Sequence, residues 1–316
     1  MRQALLAMTA PAVLLAACAA TGTAEPEEAA PPPYQAPATL AEATEGAPDI
    51  ALYAVGDDDT TVYLMGTVHI LRPDTAWKTP EYEAAFAAAD AIYLEADTSD
   101  EAMAEVTPLI TELGLNPPGT TLSGYFEEDE RAALSDALAG VGMPMANLEP
   151  MRPWLAALTI GVVGIQSLGG DPEAGVEKLI EADAEAAGKE LRAFETARQQ
   201  IEIIAGVPDA AWADSMVADL DAFADFERYY AELIGAWYDG RMDMVGDVMN
   251  EGMAVAPELG QALLHDRNAD WAGQIAELIE TEPGTFLVAV GAGHLGGERT
   301  VQDYLEEAGY AVEEAR

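Results

Sequence analysis

Short apolar runs alternate along the chain with longer stretches whose apolar residues recur every three or four positions. Ala51–Val55, Thr61–Gly66, Ala91–Glu95, Leu191–Glu195 and Thr285–Gly291 read as strands, the last (TFLVAVG) as an unbroken run of the fully buried kind. Tyr310–Glu313 reads as a final strand. Pro80–Ala89 is predicted helical, with proline at its start. Glu128–Leu138 and Pro172–Ala187 carry helical spacing. Thr196 and Gln199 fit a capping box that opens another helix. Helices are expected through most of Pro208–Glu280 and over Gly297–Ala308. Few strands among many helices predict an α/β fold leaning toward α+β: a small central sheet, flanking helices and a helical cap from about residues 100–190 and 205–280.

The amino terminus breaks this pattern. Arg2 precedes an apolar stretch from Ala4 to Ala17, too short to span a bilayer and ending in small residues. Leu15-Ala16-Ala17-Cys18 resembles a bacterial lipobox. Residues 1–17 are therefore expected to be a lipoprotein signal peptide, with Cys18 carrying the lipid. Residues 18–48, rich in Ala, Pro and Glu, read as a flexible tether, and 49–316 as the folded domain. This predicts an exported envelope lipoprotein, anchored through Cys18 and facing the periplasm. Leu155–Leu168 is apolar but short and interrupted by Gly161 and Gly164, so it reads as a buried helix.

Charge narrows the partners. Lys and Arg total 14 against 57 Asp and Glu, a formal net charge of −43 in 316 residues. Nucleic acid is excluded as a partner, because phosphate binding needs clustered cations. With 50% hydrophobic residues the chain still has ample material for a core. Cys18 is the sole cysteine, which excludes a disulfide framework and any cysteine-rich zinc site.

Candidate chemistry rests on scarce residues. Of three histidines, His69 and His294 each follow an apolar strand in a Gly-x-x-His context: Gly66-Thr67-Val68-His69 and Gly291-Ala292-Gly293-His294. Ligands of open sheets gather at such strand ends. Glu95 and Glu195 each end a short apolar strand. Two imidazoles and two carboxylates suit a divalent Mn, Co or Zn ion, one carboxylate remaining available as a general base. Arg267, in His265-Asp266-Arg267-Asn268, either stabilises an oxyanion or pairs with Glu95 or Glu195. Asp97 is either a supporting partner or a loop charge. His265 is expected at a solvated helix end. The five tryptophans, Trp271 among them, are expected in core or cap packing. Asp57-Asp58-Asp59 reads as a turn.

TVYLMGTVHI, AIYLEAD, AAGKELRAFETARQQ, LLHDRNADWA and FLVAVGAGHLGG occur in the order of the TraB/GumN family, which includes the Tiki proteins. The resemblance covers about residues 50–316. It implies a fold similar to the erythromycin-esterase/ChaN-like group and, through the Tiki members, a metal-dependent peptidase or amidase favouring Mn or Co. Its motif residues correspond to His69, Glu95, Glu195 and His294, and its Arg-Asn pair to Arg267 and Asn268, the latter as a supporting partner. Haem or metal capture, or peptide sequestration, are the non-catalytic alternatives that the resemblance carries. AFET and HDRN depart from the usual Leu-Glu-Thr and ERN without removing a proposed ligand.

Overall fold

The computed structural model describes residues 35–140 and 142–315. The expected signal peptide, Cys18 and most of the tether lie outside them. The tether's last part is packed: Leu40–Ala43 forms a short helix capped by Thr39, with Leu40 and Ala43 buried against the helix Phe226–Tyr238. Two apolar residues within four positions give this end of the segment a surface to bury, which the Ala/Pro/Glu stretch before it lacks.

Among the described residues six strands form one mixed sheet: β1 (Leu52–Gly56), β2 (Thr60–Thr67), β3 (Ala91–Ala96), β4 (Glu190–Glu195), β5 (Gly284–Gly291) and β6 (Glu313–Glu314), in the order β4-β3-β5-β2-β1-β6. β1 and β2 are a hairpin whose acidic turn is closed by Asp57, its carboxylate accepting from the Asp59 and Thr60 amides. β2, β5, β3 and β4 run parallel. β5 lies between β2 and β3, and Phe286–Gly291 is wholly buried, which explains its lack of polar alternation. The closing strand is shorter than expected and lies further on, Glu313 and Glu314 pairing with Ala54 and Tyr53 of β1 and the Ala315 amide donating to Leu52 O.

Register decides where the chemistry falls. Thr67 pairs with Gly291 and Ala96 with Glu195, so the four parallel strands end together. Glu95, Glu195 and the two Gly-x-x-His loops consequently share one edge, the carboxyl edge where open parallel sheets collect ligands.

Helices occupy the long connections. Between β3 and β4 they include Asp100–Gly114, Pro153–Ser167 and Val176–Ala187. Between β4 and β5 they include Ala197–Gly206, Phe226–Tyr238 and Asp266–Thr281. The two insertions share a core: Trp154 from the first packs with Val207, Trp212 and Leu259 of the second. Among the described residues no helix is long and apolar enough to cross a membrane. The capping box is present in both directions, Thr196 accepting from the Gln199 amide while Gln199 accepts from the Thr196 amide. Two expected helices begin late. Gly297 and Arg299 take left-handed backbone angles, so the last helix starts at Val301 behind its Thr300 cap. Pro172–Ala174 is a separate turn and the helix starts at Val176. A β-carbon on Gly175 between them would lie 2.3 Å from the His69 carbonyl, so only glycine permits this approach.

Candidate functional site

Each histidine is presented by a loop that other elements hold. After β2 the backbone is anchored by the Trp237 indole donating to Gly66 O at 2.8 Å, the Tyr230 hydroxyl donating to Ile70 O, and the Val176 amide donating to Val68 O at 3.0 Å. That last contact brings the first turn of Val176–Ala187 to His69. Glu177 Oε1 lies 2.7 Å from His69 Nδ1 and also accepts from the Thr67 hydroxyl. The Nδ1 proton is therefore fixed, and the Glu177 charge raises the His69 pKa well above the ordinary imidazole value. His69 remains 68% exposed, so solvent weakens that effect.

His294, by contrast, is buried. Asn268 Nδ2 donates to the Arg299 carbonyl at 2.9 Å, which leaves Asn268 Oδ1 to accept from His294 Nδ1 at 2.6 Å. His294 Nε2 thus carries a lone pair, and Arg267 donates to it at 3.1 Å. Burial lowers the His294 pKa to about 4, against the pull of Glu95, so the ring is neutral.

Arg267 is the hub. Its Nε donates to Glu195 Oε1 at 2.8 Å and its NH2 group to Glu95 Oε2 at 2.9 Å and Glu195 Oε2 at 3.1 Å. Its NH1 group donates to Leu263 O and His294 Nε2, both at 3.1 Å. All five guanidinium protons have acceptors. Of the two roles open in the sequence, Arg267 is engaged as the partner of both glutamates. It leaves the π-helical turn Gln261–His265, an irregularity frequent at functional sites, and stacks over Trp271 with 4.5 Å to the ring centroid.

Both glutamates are buried. Burial raises the Glu95 pKa, but His294, Arg267, His69 and the Gly291 amide outweigh it and hold the carboxyl down to about 2. Glu195 Oε1 also accepts from the Trp271 indole at 3.0 Å. Trp271 is thus part of the site, contrary to the expectation of packing alone, with 4.3 Å between its ring centroid and that of His294. Gln200, which donates to Glu95 Oε2 at 3.2 Å, and Glu177 were both missed in the sequence. Asp97 proves to be a loop charge that accepts from the Ser99 amide. His265 is half-buried rather than solvated, its Nδ1 without a hydrogen-bond partner among the described residues.

The donors converge on a bare backbone. A β-carbon on Gly291 would lie 2.8 Å from Glu95 Oε1, 3.6 Å from His69 Nε2 and 3.7 Å from His294 Cδ2. The space a side chain would fill is thus lined by two imidazoles and a carboxylate, a donor set that fits a first-row divalent ion. Glu195 is engaged by Arg267 and Trp271, which donate to its two oxygens. Among the described residues no three His, Cys, Asp or Glu side chains already stand at metal-binding spacing.

A mixed α/β sheet with paired Gly-x-x-His loops and an arginine-bridged glutamate pair at its carboxyl edge defines the class of domain. The TraB/PrgY/gumN family profile matches residues 51–314, and the chain belongs to that family. It is 23% identical over 245 residues to the uncharacterized protein YbaP of Escherichia coli K12, covering 77% of this chain and 87% of that protein, and equally to YbaP of Shigella flexneri. No solved structure matches the chain.

Proposed function

We propose that the chain is a metal-dependent hydrolase, a peptidase or amidase acting at the cell envelope. The observation that carries this reading is the convergence of His69, His294 and Glu95 beside Gly291: His69 Nε2 and Glu95 Oε1 border the place of a β-carbon there, and His294 Nε2 lies 3.5 Å from the same Glu95 oxygen. These three residues would hold a Mn, Co or Zn ion. When bound, the ion would polarise the scissile carbonyl and acidify a water. The chain's own groups set the donors. Glu177 and Asn268 keep both Nδ1 protons in place, which leaves Nε2 as the ligating atom of each ring once His69 releases its second proton to solvent, as supporting carboxylates and amides do at metal sites. Arg267, pairing both glutamates, orients Glu95, and Glu195 acts through Arg267 as a positioning residue.

The test is metal content and cleavage of a peptide library by the full chain after incubation with Mn, Co or Zn. About one ion per chain and metal-dependent cleavage are expected. Both should disappear in a His69→Ala/His294→Ala variant that keeps its circular dichroism. Failure of the parent chain to take up any of the three ions would overturn the reading. A non-catalytic peptide-binding role is supported by one separate feature, a cleft of about 1050 Å³ beside Glu195 and Arg267. Saturable peptide binding without product would favour it.

The envelope location rests on Leu15-Ala16-Ala17-Cys18. Labelled palmitate should enter the expressed chain and be lost in Cys18→Ser. Equal labelling of both would remove the anchor from the proposal.

A further inference from the structure

The cleft beside Glu195 and Arg267 runs between two helical segments. One wall is Ala197–Gly206, which contributes Gln199, Glu202, Ile203 and Gly206, positions spaced by three and four along one helix face. The other is the stretch from Pro257 through the π-helical turn into Asp266–Thr281, contributing Glu258, Ala262, Asp266 and Asp270. Phe194 and Glu195, at the end of β4, close it on the side of the arginine hub. A wall of 10 helical residues is about 15 Å long. That length accommodates about five residues of extended chain.

The lining has two characters. Phe194, Ile203, Val207 and Ala262 give it apolar surface, whereas Glu202, Glu258, Asp266 and Asp270 are exposed around it. Among the described residues the cation in the lining is Arg267, whose five protons are already committed to Glu95, Glu195, His294 and Leu263. Arg198 reaches Glu202 at 3.4 Å from outside the lining, and Asp266 and Asp270 accept from the neutral amides of Gln261 and Gln274. Negative charge in the cleft is therefore largely uncompensated. A concave, partly apolar channel of that sign complements a ligand with apolar side chains interleaved with cations.

We propose that this cleft binds an extended peptide segment in which lysine or arginine alternates with apolar residues, leading its backbone toward the Glu95–Arg267–His294 cluster. The assignment deepens the hydrolase reading and rests on it for the direction of the chain. Binding itself is independent of turnover.

The experiment uses the full, metal-free chain in chelator, with fluorescence anisotropy of labelled peptides of about eight residues, long enough to overfill the cleft. One peptide alternates Lys with Leu, one Ser with Leu and one Glu with Leu. At low salt the lysine peptide is expected to bind about tenfold tighter than the serine peptide, as a few exposed charge contacts together supply. Added salt should erase the difference. Glu202→Gln/Glu258→Gln/Asp270→Asn should remove the preference, while Glu81→Gln/Glu83→Gln/Asp129→Asn, on exposed positions outside the cleft, should leave it. Gly206→Phe adds bulk where a β-carbon meets nothing within 4 Å, and should weaken lysine and serine peptides alike. Equal losses in the two triple variants would overturn the assignment and ascribe the effect to the charge of the whole chain, as would no preference in the parent. Binding that persists without cleavage after metal loading defeats the hydrolase reading and leaves the cleft. Cleavage of lysine and glutamate peptides at equal rates does the reverse.

Discussion

Replacing Arg267 by methionine is expected to lower the unfolding free energy by roughly 3–5 kcal/mol, the usual consequence of stranding buried charge. That is a large share of the about 5–15 kcal/mol that holds a domain together. The reason is geometric. Glu95 and Glu195 are both buried, and the side chain that bridges them is Arg267. Methionine fills a similar volume but, among the described residues, leaves Glu195 with the Trp271 indole and Glu95 with the Gly291 amide, Gln200 and the neutral His294 ring. Lysine should rescue only part of the loss, because a point charge cannot donate to two carboxylates, a carbonyl and an imidazole from one plane. Adding Glu195→Gln to the methionine variant should recover stability by removing one of the stranded charges. The sign of the pH dependence separates this account from simple loss of packing. In the parent, the Glu95 pKa is depressed from 4.5 to about 2, so its contribution is present above pH 4.5 and disappears as pH falls toward 2. In the methionine variant burial acts against a weakened set of cations, and the carboxyl moves upward. The variant should then gain stability as pH falls from neutrality toward 4.5, narrowing its deficit. Urea unfolding of both proteins in chelator over this range measures the effect, and a deficit independent of pH would place the loss in packing.

The parts of this site that were legible in the sequence are those tied to strand ends. His69, Glu95, Glu195 and His294 stand beside recognisable apolar runs, and glycine marks the turns that present the histidines. What brings them together was not legible, because strand order is a tertiary fact. β5 inserts between β2 and β3, and the Thr67–Gly291 pairing sets the two histidine loops side by side. Glu177 was invisible for a different reason. It is one acidic residue among 57 Asp and Glu, on a helix whose start is displaced by the Gly175–His69 approach. Trp271 and Gln200 sit at ordinary helical spacings, where a side chain turned toward a carboxylate looks the same as one turned toward the core. The helical boundaries failed where Gly297 and Arg299 took left-handed angles and where Gly175 meets the His69 carbonyl, choices made by the surrounding packing.

Gly291→Ala should abolish metal uptake while the fold survives, and it tests the site with a single methyl group. The backbone at 291 has φ −51° and ψ 138°, an extended conformation open to any residue, so alanine introduces no backbone strain. What the new β-carbon meets is Glu95 Oε1 at 2.8 Å, closer than such contacts occur. A glutamate carboxylate at a surface would swing aside. Here Glu95 is held by Arg267, Gln200 and the Gly291 amide, so moving it breaks charge-assisted hydrogen bonds in a buried setting. His69 Nε2 and His294 Cδ2, at 3.6 and 3.7 Å, border the same methyl. The substitution therefore occupies the space that the three side chains border and leaves each of them chemically intact. Affinity for Mn, Co or Zn should fall by about 100-fold or more, the scale at which even supporting contacts act at metal sites. Isothermal titration of parent and variant gives the comparison, with circular dichroism as the check on folding. Retention of parental affinity in a folded Gly291→Ala protein would move any metal away from this space, leaving Glu95 and His294 joined through Arg267 and His69 paired with Glu177.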